Sequence, residues 1–207
     1  MTTYEHAMLG LTLALAAGAH RRHGWALPVT AAVAAALPDW DAVTIFFGPE
    51  AYATGHRTWG HNLLCAGSLG ALTGALGFLC YASVRGRRAA FPLPDGDRPV
   101  RPPLTARDFV GWVLMGLLAG LSHLLVDAVY PWPIPLLWPF DESRWGVAVL
   151  EWGDLPPILL FLGEMFALYY HPREAQVIAW MTMIVLSAYI VLRWWLWPLD
   201  AWRVLLW

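Results

Sequence analysis

His123 and Asp127 stand four residues apart in Gly120-Leu-Ser-His-Leu-Leu-Val-Asp127, inside an apolar run from Phe109 to Tyr130. On a helix, positions i and i+4 leave the same face one turn apart. The run is long enough to cross a bilayer, where an aspartate costs about 2.5–3.5 kcal/mol to insert. A neutral imidazole and a carboxylate on one face are the beginning of a divalent-metal site. A hydrogen-bonded pair between helices is the other use that membrane bundles make of such residues.

Further ligand chemistry is spread along the chain, in His6, in Leu37-Pro-Asp39-Trp-Asp41 and in His56-Arg-Thr-Trp-Gly-His61. Two carboxylates at i and i+2 can chelate or bridge hard or borderline cations. Asp after Pro is equally at home in turns and helix caps. His56 and His61 share no helix face, so they act together only if one sits in a loop and the other at a helix start. Alone, with Arg57 and Trp59, they would anchor to headgroups. His6 by itself is an ordinary solvated terminal histidine. Glu164 lies inside an apolar stretch and needs a partner, for which a metal-bound histidine is one candidate. His20 and His23 flank Arg21 and Arg22 in a basic hinge, and His171 precedes Pro172 in a turn, so these three fall outside the set.

The elements that would position these groups are membrane helices. Of 207 residues 58% are hydrophobic and only 14% charged, against about 25% charged in soluble domains. Mean hydropathy is +0.50. The fourteen tryptophans suit an aromatic belt, with Trp132, Trp138, Trp194, Trp195 and Trp197 near the ends of spans. Ala7 to Ala19 and Trp25 to Leu37 read as a hairpin of short helices, the second closed by Pro38. Asn62 to Val84, Phe109 to Tyr130, Leu155 to Tyr170 and Val177 to Trp197 read as four spans. Pro131-Trp-Pro-Ile-Pro135 cannot stay helical, so the stretch through Phe140 lies at the interface or re-enters. Residues 85–108 carry six arginines, three aspartates and five prolines and form a loop. Cys65 and Cys80 fall in one helix roughly 22 Å apart and cannot pair. The expected architecture is all-α, a polytopic helical membrane protein with one integral domain over 1–207.

The chain has no lysine, so arginine placement decides orientation. Alternating spans put Arg21, Arg22, the 85–108 linker and Arg173 on one side, which the positive-inside rule makes cytoplasmic. His6, Asp39, Asp41, His56, His61 and the outer end of the 109–130 helix then share the periplasmic side. Other chemistries find no support: Gly-x-Ser-x-Gly, a phosphate loop and Cys-x-x-Cys are all missing from the sequence. The prolines and aspartates of the arginine-rich linker favour a plain cytosolic loop over a nucleic-acid contact.

The ordered set of His6, Leu37-Pro-Asp39-Trp-Asp41, His56-Arg57…His61, Ser122-His123…Asp127 and Trp138-Pro-Phe140 covers roughly residues 1–170. It resembles a bacterial inner-membrane family described as membrane-bound, metal-dependent hydrolases. That family includes members under SOS (LexA) control and looks distantly related to the zinc-dependent phospholipase C and P1 nuclease group. The family tends to have His-Arg-Gly-x-Thr-His-Ser where this chain has His56-Arg-Thr-Trp-Gly-His61-Asn62. The resemblance implies a multi-pass protein of the bacterial inner membrane that hydrolyses a phosphoester, lipid-linked or amphiphilic, beside membrane lipid. His6, Asp39, Asp41, His56, His61, His123 and Asp127 are the expected metal ligands, for one or two divalent ions with zinc first. Arg57 is the expected catalytic phosphate clamp. A structural or sensory metal site without catalysis and an ion or metal transporter are the rival classes.

Overall fold

The structure, a computed structural model, describes residues 2–90, 102–151 and 154–196. The middle of the arginine-rich linker and Trp197, the expected end of the last span, lie outside these residues. The described residues form eight α-helices, with no strand beyond one isolated bridge between Ile134 and Trp145. They are α1 (Thr3–Ala16), α2 (Ala19–His23), α3 (Ala26–Ala36), α4 (Pro49–Gly55), α5 (Leu63–Ala90), α6 (Ala106–Asp127), α7 (Leu155–Tyr170) and α8 (Ala175–Leu196).

Among the described residues four helical stretches are long and apolar enough to cross a membrane: Ala26–Phe47, Leu63–Gly86, Ala106–Asp127 and Pro172–Leu196. Their number is the expected one, but one member differs. The apolar helix Leu155–Tyr170 has 16 residues, about 24 Å of rise, which falls short of a hydrocarbon core of about 30 Å. The stretch from Ala26 is longer than its proline suggested. Pro38 does not end it, because Leu37–Phe47 continues as a 3-10 helix with the proline in its first turn.

Between apolar helices in lipid there is little hydrophobic drive, so close backbone approach holds them together. The α5–α6 contact is such a seam. A Cβ on Gly70 would overlap the carbonyl oxygen of Gly116, and one on Gly120 that of Ala66. Ala66, Gly70, Gly116 and Gly120 thus bring the start of α5 against the end of α6. The short α1 is enclosed by α3, α6, α7 and α8, with Ala14, Ala31, Ala34 and Ala35 fully buried between α1 and α3. Thr2 and Glu5 close a capping box on α1, which sets His6 on its first turn.

After α6 the chain turns through Val129 N–H to Val126 O and Tyr130 N–H to Asp127 O before Pro131 stops it. Residues 128–151 then fold back over the helix end. Val147, Val149 and Leu150 donate to the carbonyls of Ala128 and Val129, and Leu63 N–H at the start of α5 donates to Leu136 O. The buried Ile134, Val149 and Leu150 seal this cap. At the other end of the bundle Arg22 pairs with Asp108, its Nε 2.5 Å from Oδ1. Gln176 of α8 donates to Ala16 O there.

Candidate metal centre

Three helix ends, a 3-10 turn and one loop meet under the 128–151 cap. His123, on the last turn but one of α6, is fully buried. Its Nδ1–H donates to the carbonyl of Ala35 at 2.8 Å, which leaves Nε2 as the lone-pair nitrogen, turned inward. His61 sits on the loop ahead of α5, also fully buried, and its Nδ1–H donates to Asp41 Oδ2 at 3.0 Å. Both inward nitrogens face one point, with His61 Nε2 3.1 Å from His123 Nε2.

Two carboxylates join them. Asp39 Oδ1 lies 3.4 Å from His61 Nε2 and 3.6 Å from His123 Nε2. Asp127 Oδ2 lies 3.3 Å from the first and 3.8 Å from the second. Donors 2.0–2.1 Å from a tetrahedral ion stand about 3.3–3.4 Å from one another, which is the scale of these separations. Asp39 Oδ2, the other oxygen, accepts from the Thr3 hydroxyl at 2.6 Å. His6 stacks on His123 with ring centroids 3.6 Å apart. Its Nε2 is 3.2 Å from Asp127 Oδ1, yet both its ring nitrogens are buried without a hydrogen bond. Two groups therefore gather ligand atoms within 4.8 Å, namely Asp39 with His61 and His123, and His6 with His123 and Asp127. They share His123, whose one inward lone pair serves a single ion.

Asp41 and His56 take different positions. Asp41 receives His56 Nδ1 on Oδ1 at 2.9 Å, and His61 Nδ1 and Gly60 N–H on Oδ2 at 3.0 and 2.9 Å. Both oxygens are spent on holding the histidine loop. His56 stacks on Tyr52 and is part exposed. Arg57 has a left-handed backbone, φ 59°, and its guanidinium pairs with Asp127 Oδ2 and lies over the Trp132 ring. The changed loop residues have visible tasks. Gly60 approaches Pro38 so closely that a Cβ would overlap the Pro38 carbonyl oxygen. Asn62 accepts from Cys65 N–H at 2.8 Å and so caps α5 as a serine there would.

Thr3, Tyr52, Gly60 and the Ala35 carbonyl escaped the reading of the sequence. Thr3 beside His6 could have been found, whereas a backbone carbonyl carries no side-chain signal. Glu164 does not reach the cluster; it meets the Thr12 hydroxyl at 2.7 Å between α7 and α1.

Three carboxylates shape the electrostatics around His61. Burial by itself pushes the His61 imidazolium down, but Asp127, Asp39 and Asp41 around it hold it up at about 10. His61 Nε2 thus stands among His123 Nε2, Asp39 Oδ1 and Asp127 Oδ2. Trp40, between Asp39 and Asp41, and Trp59, between Arg57 and His61, are half exposed with rings 6.2 Å apart.

A buried His/Asp cluster at one end of an apolar helical bundle defines a polytopic membrane protein with a candidate metal centre. The chain matches the family model of the YdjM inner membrane protein over residues 1–200 and belongs to that family. With its long apolar helices it is a multi-pass inner membrane protein in contact with lipid. No curated protein and no solved structure matches it.

Proposed function

We propose that this protein is a membrane-bound, metal-dependent hydrolase that cleaves a phosphoester of a lipid-linked or amphiphilic molecule at the periplasmic face. One observation carries the reading: Asp39 Oδ1 and Asp127 Oδ2 each lie 3.3–3.8 Å from the two facing nitrogens His61 Nε2 and His123 Nε2, and the Arg57 guanidinium pairs with Asp127. These four would hold one divalent ion, zinc by the chemistry of the donors. His6 with Asp127 Oδ1 offers only the beginning of a second site. Bound there, the ion supplies Lewis acidity toward a phosphoryl oxygen and acidifies water. Asp41 and the Ala35 carbonyl fix the two imidazoles in the ligating tautomer, and Arg57 is placed to fork onto phosphate oxygens. The arginine side is cytoplasmic by the positive-inside rule, so the centre faces the periplasm. Half-exposed Trp40 and Trp59, next in sequence to the site residues, suit an interfacial substrate.

A second reading has its own support. Four protein donors saturate a tetrahedral ion, and closed sites of this kind are structural. The test is metal analysis of protein purified without chelators, together with turnover of a chromogenic phosphodiester in lipid vesicles. Roughly one divalent ion per chain and metal-dependent turnover are expected. Absence of a stoichiometric ion sinks the hydrolase reading. An ion without turnover hands the site to the structural reading.

A further inference from the structure

We infer that Arg57 is a built-in competitor of the metal, so that metal binding and anion binding at this centre reinforce each other. The inference deepens the metal-centre reading above and rests on it.

Asp127 Oδ2 is one of the four donors proposed above, and it is also a partner of the Arg57 guanidinium. Both groups are largely withdrawn from water, with side chains 15% and 2% exposed. A buried carboxylate requires compensating partners, and here Arg57 is one of them, beside His6 and His61. A divalent ion between His61, His123, Asp39 and Asp127 would take over that charge, and two cations on one oxygen repel. The guanidinium then loses this partner while remaining largely withdrawn from water. An oxyanion of the phosphate type restores its balance, since the planar fork binds phosphate in two-point fashion. Arg57 has somewhere to turn. It sits on a loop in a left-handed conformation that a non-glycine residue holds only under constraint, and it already leans over the Trp132 ring, 5.7 Å from the centroid.

By linkage, whatever factor the metal adds to phosphate affinity, phosphate adds to metal affinity. The anion could belong to a lipid headgroup or be free phosphate. Both share the chemistry, and the experiment separates them.

The full chain is stripped of metal in detergent and titrated with zinc against a chelating dye. The titration is run alone, with inorganic phosphate, and with phosphatidylglycerol vesicles compared with vesicles of an uncharged glycolipid. In the wild type, phosphate should raise zinc affinity on the order of tenfold, a usual size for coupled sites. A larger effect of phosphatidylglycerol than of free phosphate would assign the anion to a headgroup, and the reverse to the free ion. Arg57→Ala should bind zinc on the order of tenfold more tightly than the wild type without anion, and phosphate should no longer matter. Because the variant removes one charged partner of Asp127, it should melt lower than the wild type when metal-free and regain most of the difference on adding zinc. That recovery is the readout if the stripped variant folds poorly. Equal or weaker zinc binding by Arg57→Ala, no effect of either anion on the wild type, or no recovery with zinc overturns the inference while leaving the metal centre standing. A wild type that binds no zinc overturns both.

Discussion

The two ends of the bundle each bury an aspartate among histidine and arginine, and they use it differently. At the arginine end, Asp108 accepts from Thr105 N–H at 2.8 Å, from the Thr105 hydroxyl at 2.7 Å and from Arg22 Nη2 at 2.8 Å. His23 stands off at 3.6 Å. The hydrogen-bond donors from Thr105 and Arg22 keep their protons at all ordinary pH values, so they make the cluster a fixed joint between α2 and α6. At the centre, Asp127 and Asp39 face imidazole nitrogens that carry a proton or give it up to a metal. Two Nε2 atoms meet at 3.1 Å, a distance that demands a proton or a cation between them. Burial is common to both ends. What distinguishes them is whether the compensating charge can be replaced.

The sharpest way to break this comparison is to remove one carboxylate at each end. Asp127→Asn should lower zinc affinity by more than about 100-fold, beyond the 10–100-fold usual for partners that only orient a ligand, and abolish phosphodiester turnover. Asp108→Asn should keep its zinc and lose about 1–3 kcal/mol of folding stability, the scale for a hydrogen bond to a charged group. Metal content by mass spectrometry and thermal unfolding read the two outcomes. Equal metal loss in both variants would erase the distinction.

A finer cut separates ligand from positioner. Asp41→Asn should weaken zinc binding about 10–100-fold but still reach the wild-type stoichiometry at saturating zinc, since Asp41 holds His61 by Nδ1 rather than facing the ion. A titration that plateaus at zero would make Asp41 a ligand instead.

The smallest effect is in pH dependence, and it has opposite sign at the two ends. His61 is held at about 10 against an ordinary 6.5 in the metal-free protein. Its stabilisation is complete below about 6.5 and is lost as pH rises toward 10. His23 is lowered from 6.5, by burial first and by Arg22 and Arg85, with Asp108 opposing. Nothing is lost there above 6.5, and stability falls as pH drops below that value because the unfolded chain takes the proton the folded one refuses. Zinc should flatten the alkaline limb, since the ion takes the place of the His61 proton, and leave the acid limb unchanged. Melting temperature followed from pH 5 to 10, with and without zinc, tests both signs.

Much of this molecule follows from composition and spacing. The apolar runs and their proline and glycine punctuation predict an all-α membrane bundle, because an uninterrupted apolar helix needs no partner to satisfy its backbone in lipid. The four-residue spacing of His123 and Asp127 places both on one face of α6, and the arginines at one set of helix ends gather the remaining ligand segments at the other. Periodicity names the face of an element, though, and is silent on how one element is rotated against the next. That was decided by tertiary contacts such as the Gly70–Gly116 seam, which sets α5 against α6 and so His61 against His123. It was decided as well in the 3-10 turn after Ala36. At three residues per turn, Asp39 and Asp41 leave it about 120° apart, one toward the convergence point and the other toward the Nδ1 atoms of His61 and His56. The Ala35 carbonyl that orients His123, and the pairing of Arg57 with Asp127, join residues 88 and 70 positions apart. Only the folded chain brings such groups within hydrogen-bonding distance, because the free energy that holds them together belongs to the whole bundle rather than to any local stretch.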